Sequence, residues 1–275
     1  MTGRRAAGSD PPLEGIRAIT FDFGNTLAPV SRAGLRAVTE RTVAKAASAL
    51  GLADPGPFWT AWTEERDRQL REDVPALREM DLEQRATRIV ARLRGMPPPR
   101  AGEPWDDAAA ARLAAGADVA AITDAYSLAF IQAIAPADGA AELLATLARR
   151  GFRLAILSNW PLATTIDRYA AAAGWAPHLA GIFVSQRIGT IKPHPAIFAF
   201  AASALAVPPG TILHVGDDWA ADVVGARTAG WRVAWLRYHQ ADTPLPTSSR
   251  TPGVDPDLEL DRLTDLASRI ADPTA

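Results

Sequence analysis

Three short apolar runs in this chain each stop on a residue that can do chemistry. Ile16–Phe21 runs into Asp22, Arg153–Leu157 into Ser158-Asn159, and Thr211–Val215 into Gly216-Asp217-Asp218. A loop before the last of these carries Lys192, in Ile191-Lys192-Pro193-His194-Pro195. Two carboxylates from separate strands, Asp22 and Asp217, repel each other unless a cation lies between them. The chain has no cysteine and no paired histidines, so the donors are hard oxygens. These point to Mg²⁺, which takes one or two carboxylates and completes its shell with waters and substrate oxygens. Such a site suits phosphoryl transfer, where catalysis is largely positioning and charge neutralisation. Lys45 and Lys192 are the only lysines, so a mechanism that needs an ammonium has few candidates.

The elements that must position these residues follow from the hydrophobic pattern. Ile16–Phe21 reads as a buried parallel strand. From Ser31 to about Ala135 the patterns are helical: one helix capped by Ser31 and running to Gly51, then Phe58 to Glu72, Asp81 to Arg94, Trp105 to Ala115 and Asp118 to Ala133. The Pro97-Pro98-Pro99 run interrupts the series. After Pro136 strands and helices alternate: a helix capped by Asp138 and ended by Gly151, a strand at 153–157, a helix at about 162–173, a strand at 182–185 and a helix at 195–205. A strand at 211–215, a helix ended by Gly230 and a strand at 232–236 complete the alternation. Tyr238 to Pro256 reads as a surface loop, and Asp261 to Ile270 as a closing helix. Alternation of this kind predicts an α/β fold with a doubly wound parallel sheet. Its core is expected from residues 16–30 and 136–275, with an inserted all-helical cap at 31–135 and a disordered lead-in at 1–15. Ligands in such sheets sit outside the carboxyl ends of the strands, where Asp22, Ser158 and Asp217 fall.

Composition restricts the function classes. Hydrophobic residues make up 48% and charged residues 22%, as in an ordinary globular protein. Lys+Arg of 29 against Asp+Glu of 31 leaves a formal charge of −2, which offers no electrostatic footprint for nucleic acid or an anionic membrane. A small-molecule substrate is therefore the expected partner. The N-terminal segment has Arg4-Arg5 but no apolar stretch behind it, so no signal peptide is read and a cytoplasmic location is expected.

Four motifs, in order, resemble those of the haloacid dehalogenase (HAD) superfamily. Phe21-Asp22-Phe23-Gly24-Asn25-Thr26-Leu27 is similar to the first, in which an Asp nucleophile opens an Asp-x-Asp-x-Thr run. Leu154-Ala155-Ile156-Leu157-Ser158-Asn159 is similar to the second, and Lys192-Pro193-His194-Pro195 to the third. Gly216-Asp217-Asp218-Trp219-Ala220-Ala221-Asp222 is similar to the fourth. The resemblance implies a Rossmannoid HAD-like core with a C1-type helical cap, and a Mg²⁺-dependent hydrolase, with a phosphatase for a small phosphorylated metabolite as the leading reading. It implies Asp22 as the nucleophile that forms an aspartyl-phosphate, with Ser158 and Lys192 as its catalytic partners. Ser158, Asn159 and Lys192 would hold the phosphoryl group. Asp22, the Gly24 backbone oxygen, Asp217 and Asp222 would hold the metal, Asp222 as a ligand or from behind one.

Bland readings stand beside several residues. Asp218 reads as a helix cap and His194 as a loop residue. Trp160 and Trp219 read as pocket or packing. Arg85, Arg88, Arg92 and Arg94 read as solvated cap faces, and Phe58, Trp59, Trp62, Trp105 and Tyr126 mostly as core.

The first motif departs from the family pattern at Gly24, where phosphatases carry a second Asp that protonates the leaving oxygen and then activates water. General acid–base catalysis is worth about 10²–10⁴-fold. Its absence leaves open a phosphatase for good leaving groups, a hydrolase of C–X bonds like the family's dehalogenases or phosphonatases, and a non-catalytic relative that binds a phospholigand or a partner. A Gly24→Asp substitution is expected, on sequence grounds, to raise hydrolysis of alkyl phosphates. Asn25 tolerates the positive φ that a turn requires there.

Overall fold

The first apolar run forms β1 (Ala18–Phe21), whose four residues are all buried, so both of its faces must be covered. The computed structural model describes residues 11–237 and 242–273. β2 (Arg153–Ser158), β3 (Leu179–Val184), β4 (Ile212–Gly216), β5 (Arg232–Leu236) and β6 (Leu258–Leu260) join β1 in a six-stranded sheet of order β3-β2-β1-β4-β5-β6. Every pairing is parallel. β1 lies between β2 and β4, with Phe21 opposite both Ile156 and Val215. The winding therefore reverses at β1, and the ends of β1, β2 and β4 finish nearly level. This is the crevice in which a doubly wound sheet binds its ligand.

Because strand side chains alternate, the sheet feeds two apolar layers. Ile19, Phe21, Ile156 and Val215 face one layer, with Leu143, Leu144 and Leu147 of α6 (Ala140–Arg149) and Ile166 and Tyr169 of α7 (Ala163–Ala172). Ala18, Ala155, Leu157 and Val233 face the other, against Ile197, Phe198 and Leu205 of the helix Pro195–Leu205, with Trp219 and Trp231.

The insertion consists of α1 (Arg32–Ala49), α2 (Gly56–Glu72), α3 (Leu82–Leu93), α4 (Asp107–Leu113) and α5 (Gly116–Ala133). Ser31 caps α1 by accepting from the Gly34 N–H at 3.0 Å, and Asp81 caps α3 through the N–H groups of Glu83 and Gln84. Val38, Phe58, Trp62, Ile89, Tyr126 and Phe130 belong to the same continuous apolar cluster as the first sheet layer. The cap and the core thus share one hydrophobic interior.

Some expectations are corrected. Arg85 and Arg88, read as solvated, are only 4% and 7% exposed. The Arg85 guanidinium lies over the Trp62 ring and donates to Gln69 Oε1 at 2.8 Å. Arg88 grips both oxygens of Asp107 at 2.8 and 3.0 Å, and Arg92 binds the buried Glu65 at 2.9 Å. The methylene stems of these arginines lie on apolar surface while their heads find fixed acceptors, a pairing that helical periodicity does not reveal. Phe58, Trp62, Trp105 and Tyr126 are core, whereas Trp59 is exposed.

The helix expected at 261–270 is reduced to a 3₁₀ turn at Leu263–Asp265 and one helical turn at Leu266–Arg269, and the strand β6, just before it, was not expected. β6 is three residues long, too short for its alternation to stand out. The disordered lead-in stops short of residue 15, because Leu13 pairs with Ile270; residues 1–10 lie outside the described residues. Gly139, not Asp138, precedes α6 as its N-cap. Among the described residues no single helix is long and apolar enough to cross a membrane.

Leu213, fully buried on β4, reports on this sheet. Leu213→Ala is expected to cost about 2–5 kcal/mol, the usual range for a buried leucine. The loss should appear as a lower urea midpoint with an unchanged denaturant slope; an unchanged midpoint would contradict the burial.

Candidate active site

Asp22 takes its position from the last rung of β1, its N–H donating to the Val215 carbonyl at 2.8 Å. The chain then turns sharply through Gly24 and Asn25. Asn25 has φ +58°, as expected, and its side-chain oxygen accepts from the Val30 N–H at 3.2 Å and the Thr243 hydroxyl at 3.1 Å. Thr26 donates from this turn to Asp217 Oδ1 at 3.2 Å, tying the ends of β1 and β4 together.

Lys192 is the electrostatic centre. Only 3% exposed, it donates from Nζ to Asp22 Oδ1 at 2.8 Å, to Asp222 Oδ1 at 2.6 Å and to the Leu157 carbonyl at 3.0 Å. All three ammonium hydrogens thus have acceptors. Its backbone is held by Asn159, whose side-chain amide donates to the Lys192 carbonyl at 3.0 Å and accepts its N–H at 2.7 Å. Sequence placed Asn159 among the phosphate-binding groups; in the structure its amide holds the lysine loop. The Ser158 hydroxyl, on the end of β2 and 1% exposed, lies near enough to the Asp22 carboxyl to favour its charged form.

Asp222 comes from a wide π-helical turn at Trp219–Val224 rather than the regular helix expected there. Its Oδ1 also meets His214 Nε2 at 3.0 Å, and its Oδ2 accepts from the Asp218 N–H at 2.9 Å. The ionised carboxylate can only accept, so His214 Nε2 carries the hydrogen, while Nδ1 is hydrogen-bonded to the Thr20 hydroxyl at 2.8 Å. A Cβ on Gly216 would lie 2.2 Å from Asp222 Cγ, so glycine is what lets this carboxylate reach the lysine.

The single lysine serves two buried carboxylates unequally. Burial works against the charge of both. At Asp222 the attraction of Lys192 and the His214 hydrogen bond overcome it and hold the carboxyl well below its ordinary value. At Asp22 burial outweighs Lys192, and the nearby Asp222 charge adds to the upward shift. The lysine itself is pushed up by its two acidic partners, against the effect of burial.

One oxygen each from Asp22, Asp217 and Asp222 can be chosen so that all three lie within 4.8 Å of one another. An all-oxygen donor set of this kind fits a hard divalent cation such as Mg²⁺. Asp222 has both oxygens engaged by protein donors, which suits it to supporting the site from behind, while Asp22 and Asp217 are placed to ligate.

Other residues resolve into structural roles. Asp218 is the cap of its helical turn, accepting from the Ala221 N–H at 2.7 Å, and it also binds Ser248. His194 caps the helix Pro195–Leu205 through the Ala196 N–H at 3.2 Å. Trp219 packs edge-on to Trp235. Sequence reasoning missed Thr20 and His214, although a polar residue inside each of two apolar strands was a visible signal. It also missed Leu245, which reaches Gly24 from a distant loop and which no local pattern could reveal.

Two substitutions test the charge network. Lys192→Met leaves two carboxylates without their shared partner and is expected to cost about 3–5 kcal/mol in urea unfolding. Asp222 contributes stability above the unfolded carboxylate value of 3.8, and that stability is lost as the pH falls towards its depressed folded value. Asp222→Asn should therefore lose less of its own stability than the parent between about pH 4 and pH 2. An equal loss in both proteins would contradict the assignment.

The chain matches the model of the haloacid dehalogenase-like hydrolase family over residues 16–230. It is 33% identical over 117 residues to the 5-amino-6-(5-phospho-D-ribitylamino)uracil phosphatase of Escherichia coli, a match covering 42% of this chain and 48% of that one. It is 37% identical over 97 residues to the phosphoserine phosphatase of Thermus thermophilus, covering 35% and 39%. These matches thus span less than half the length of either relative. Among solved structures, the fold is similar to a 2-haloacid dehalogenase from Pseudomonas syringae, with TM-score 0.60, 24% identity and coverage of 92% and 97%. It is also similar to a HAD phosphatase from Thermococcus onnurineus, with TM-score 0.59, 16% identity and coverage of 94% and 100%. With the family model matching most of the chain, and with the order of motifs and the sheet in agreement, this protein belongs to the haloacid dehalogenase-like hydrolases.

Proposed function

We propose that the protein is a Mg²⁺-dependent phosphatase for a small phosphorylated molecule, acting through Asp22. The observation that carries this reading is the approach of the Asp22, Asp217 and Asp222 oxygens to within 4.8 Å, with Lys192 bonded to Asp22. Phosphatases among the relatives support it. Asp22 and Asp217 would hold Mg²⁺, which supplies charge neutralisation for the phosphoryl oxygens and for the nucleophile. An added positive charge also answers the upward push that burial gives Asp22 and keeps it ionised.

The chain's own groups do the rest. An Asp22 oxygen attacks phosphorus, and the bond to the leaving oxygen breaks with its electron pair on that oxygen. Lys192 fixes the orientation of the carboxylate, and Ser158 offers its hydroxyl beside it. Water then attacks phosphorus of the aspartyl-phosphate, the electron pair returns to Asp22, and dihydrogen phosphate leaves.

The apolar surroundings of Gly24 favour a second reading, hydrolysis of a carbon–halogen bond, because halide departs without a proton. The carboxylate trio favours phosphate, since burying three acids around one lysine calls for a further cation. A phosphonatase-like mechanism is disfavoured by Lys45, the only cap lysine, which is exposed on α1.

With para-nitrophenyl phosphate as a general substrate, phosphate release is expected only with Mg²⁺ and should vanish in Asp22→Asn. Asp217→Asn should raise the Mg²⁺ concentration needed for half-maximal rate by at least about tenfold. Halide release from a haloacid in the presence of a chelator would favour the second reading. Undiminished turnover by Asp22→Asn would exclude Asp22 as the nucleophile.

A further inference from the structure

Gly24, two residues after Asp22, has apolar neighbours. A Cβ on Gly24 would meet Leu245 Cδ1 at 2.7 Å and the Trp160 ring at 3.3 Å. Trp160 is 4% exposed and packs edge-on to Phe23 and Phe130, with centroids 5.1 and 5.0 Å away. Leu245 is fastened by its own loop, whose Thr243 hydroxyl donates to Asn25 and accepts the Leu245 N–H at 3.2 Å. Farther along the same loop, Ser248 binds both oxygens of Asp218. An aspartate side chain at this position would have to shift the terminal methyl of Leu245 and press on the edge of the Trp160 ring.

The titratable groups near these apolar neighbours are committed elsewhere. Lys192 has its three donors engaged, and Asp222 and His214 lie bonded to each other behind it. Glu79, on the cap segment between α2 and α3, accepts from the Ser185 hydroxyl and from the Met80 N–H. That same hydroxyl accepts the Trp160 N–H at 2.9 Å, so the Glu79 carboxyl is a clasp between the cap and the loop after β2. The Trp160 indole N–H is buried with no partner among the described residues. An indole donates hydrogen bonds but does not surrender its proton.

We infer that the substrate is a phosphate whose leaving oxygen is stable as an anion, an acyl, enol or aryl phosphate rather than an alkyl ester, with Leu245 and Trp160 forming the dry wall against its apolar part. This rests on the phosphatase reading and narrows it. Asp22 forms its bond to phosphorus as the P–O bond breaks, and the electron pair departs on a carboxylate, enolate or phenolate that needs no proton from the protein. In the second half, water adds to phosphorus as the bond to the Asp22 oxygen breaks, its electron pair returning to that carboxylate, and both hydrogens of the water leave with dihydrogen phosphate.

The experiment is a leaving-group series with the intact Mg²⁺-loaded protein: acetyl, para-nitrophenyl, phenyl and ethyl phosphate. Each is compared by kcat/KM, which reports the first step even where the second limits turnover. An acid worth about 10²–10⁴-fold would flatten the series. Without one, kcat/KM should fall by about 10³-fold or more from acetyl to ethyl phosphate. Leu245→Ala should narrow that ratio by admitting water beside Gly24, whereas Glu79→Gln should leave it unchanged. Ethyl phosphate turned over within about tenfold of acetyl phosphate would overturn the inference and leave the phosphatase reading intact. A shallow series that becomes steep in Glu79→Gln would overturn it by identifying that residue as the acid. No phosphate release from any member would overturn both.

Discussion

Gathering three carboxylates, Asp217 and Asp222 buried and Asp22 half-buried, at the end of one sheet is the constraint to which this architecture answers. Each loses hydration, and each repels the other two. The protein answers with one fully engaged lysine, with a histidine oriented by Thr20, and with backbone donors. These suffice for Asp222 and fall short for Asp22, whose ionised form remains disfavoured by burial. Under the proposed reading, a cation shared with the substrate would supply the charge that offsets the burial of Asp22.

The fold serves this constraint at modest cost. Parallel pairing of β1 with both β2 and β4 sets Asp22, Ser158 and Asp217 side by side without a long loop. The glycine at 216 and the wide turn after it bring Asp222 inward to the lysine. On the cap side, Leu82 donates to the Pro161 carbonyl at 2.8 Å and Ile191 to the Leu77 carbonyl at 3.2 Å, so the insertion sits directly on the two loops that carry Ser158 and Lys192. Cap position and site geometry are thereby mechanically joined.

Much of this was legible in the sequence. β1, β2, β4 and β5 and the cap helices fall where apolar periodicity places them, because each buries a continuous or one-sided apolar face. Asp22 and Asp217 were legible as carboxylates at strand ends and Lys192 as one of only two lysines, while Asp222 entered through the resemblance of the fourth motif. Roles were harder to read. Asn159 holds the lysine loop, and Arg85 and Arg88 are buried, since hydrogen-bond partners far apart in sequence leave no local trace; Arg94 is exposed, as expected. β6 and the insertion of Leu245 beside Gly24 were invisible for the same reason: one is too short to show a period, and the other depends on where a Pro- and Thr-rich loop lands. The glycine that looked like a missing acid was visible, but the apolar packing that fills its place was not.

The most direct measurement is a crystal structure of the protein soaked with Mn²⁺, located by anomalous scattering. One ion is expected, bonded to a carboxylate oxygen from each of Asp22 and Asp217, with Lys192 still bridging Asp22 and Asp222. A site left without ion at saturating Mn²⁺, or an ion that leaves Asp22 untouched, would contradict the claim that these carboxylates are gathered to share a cation.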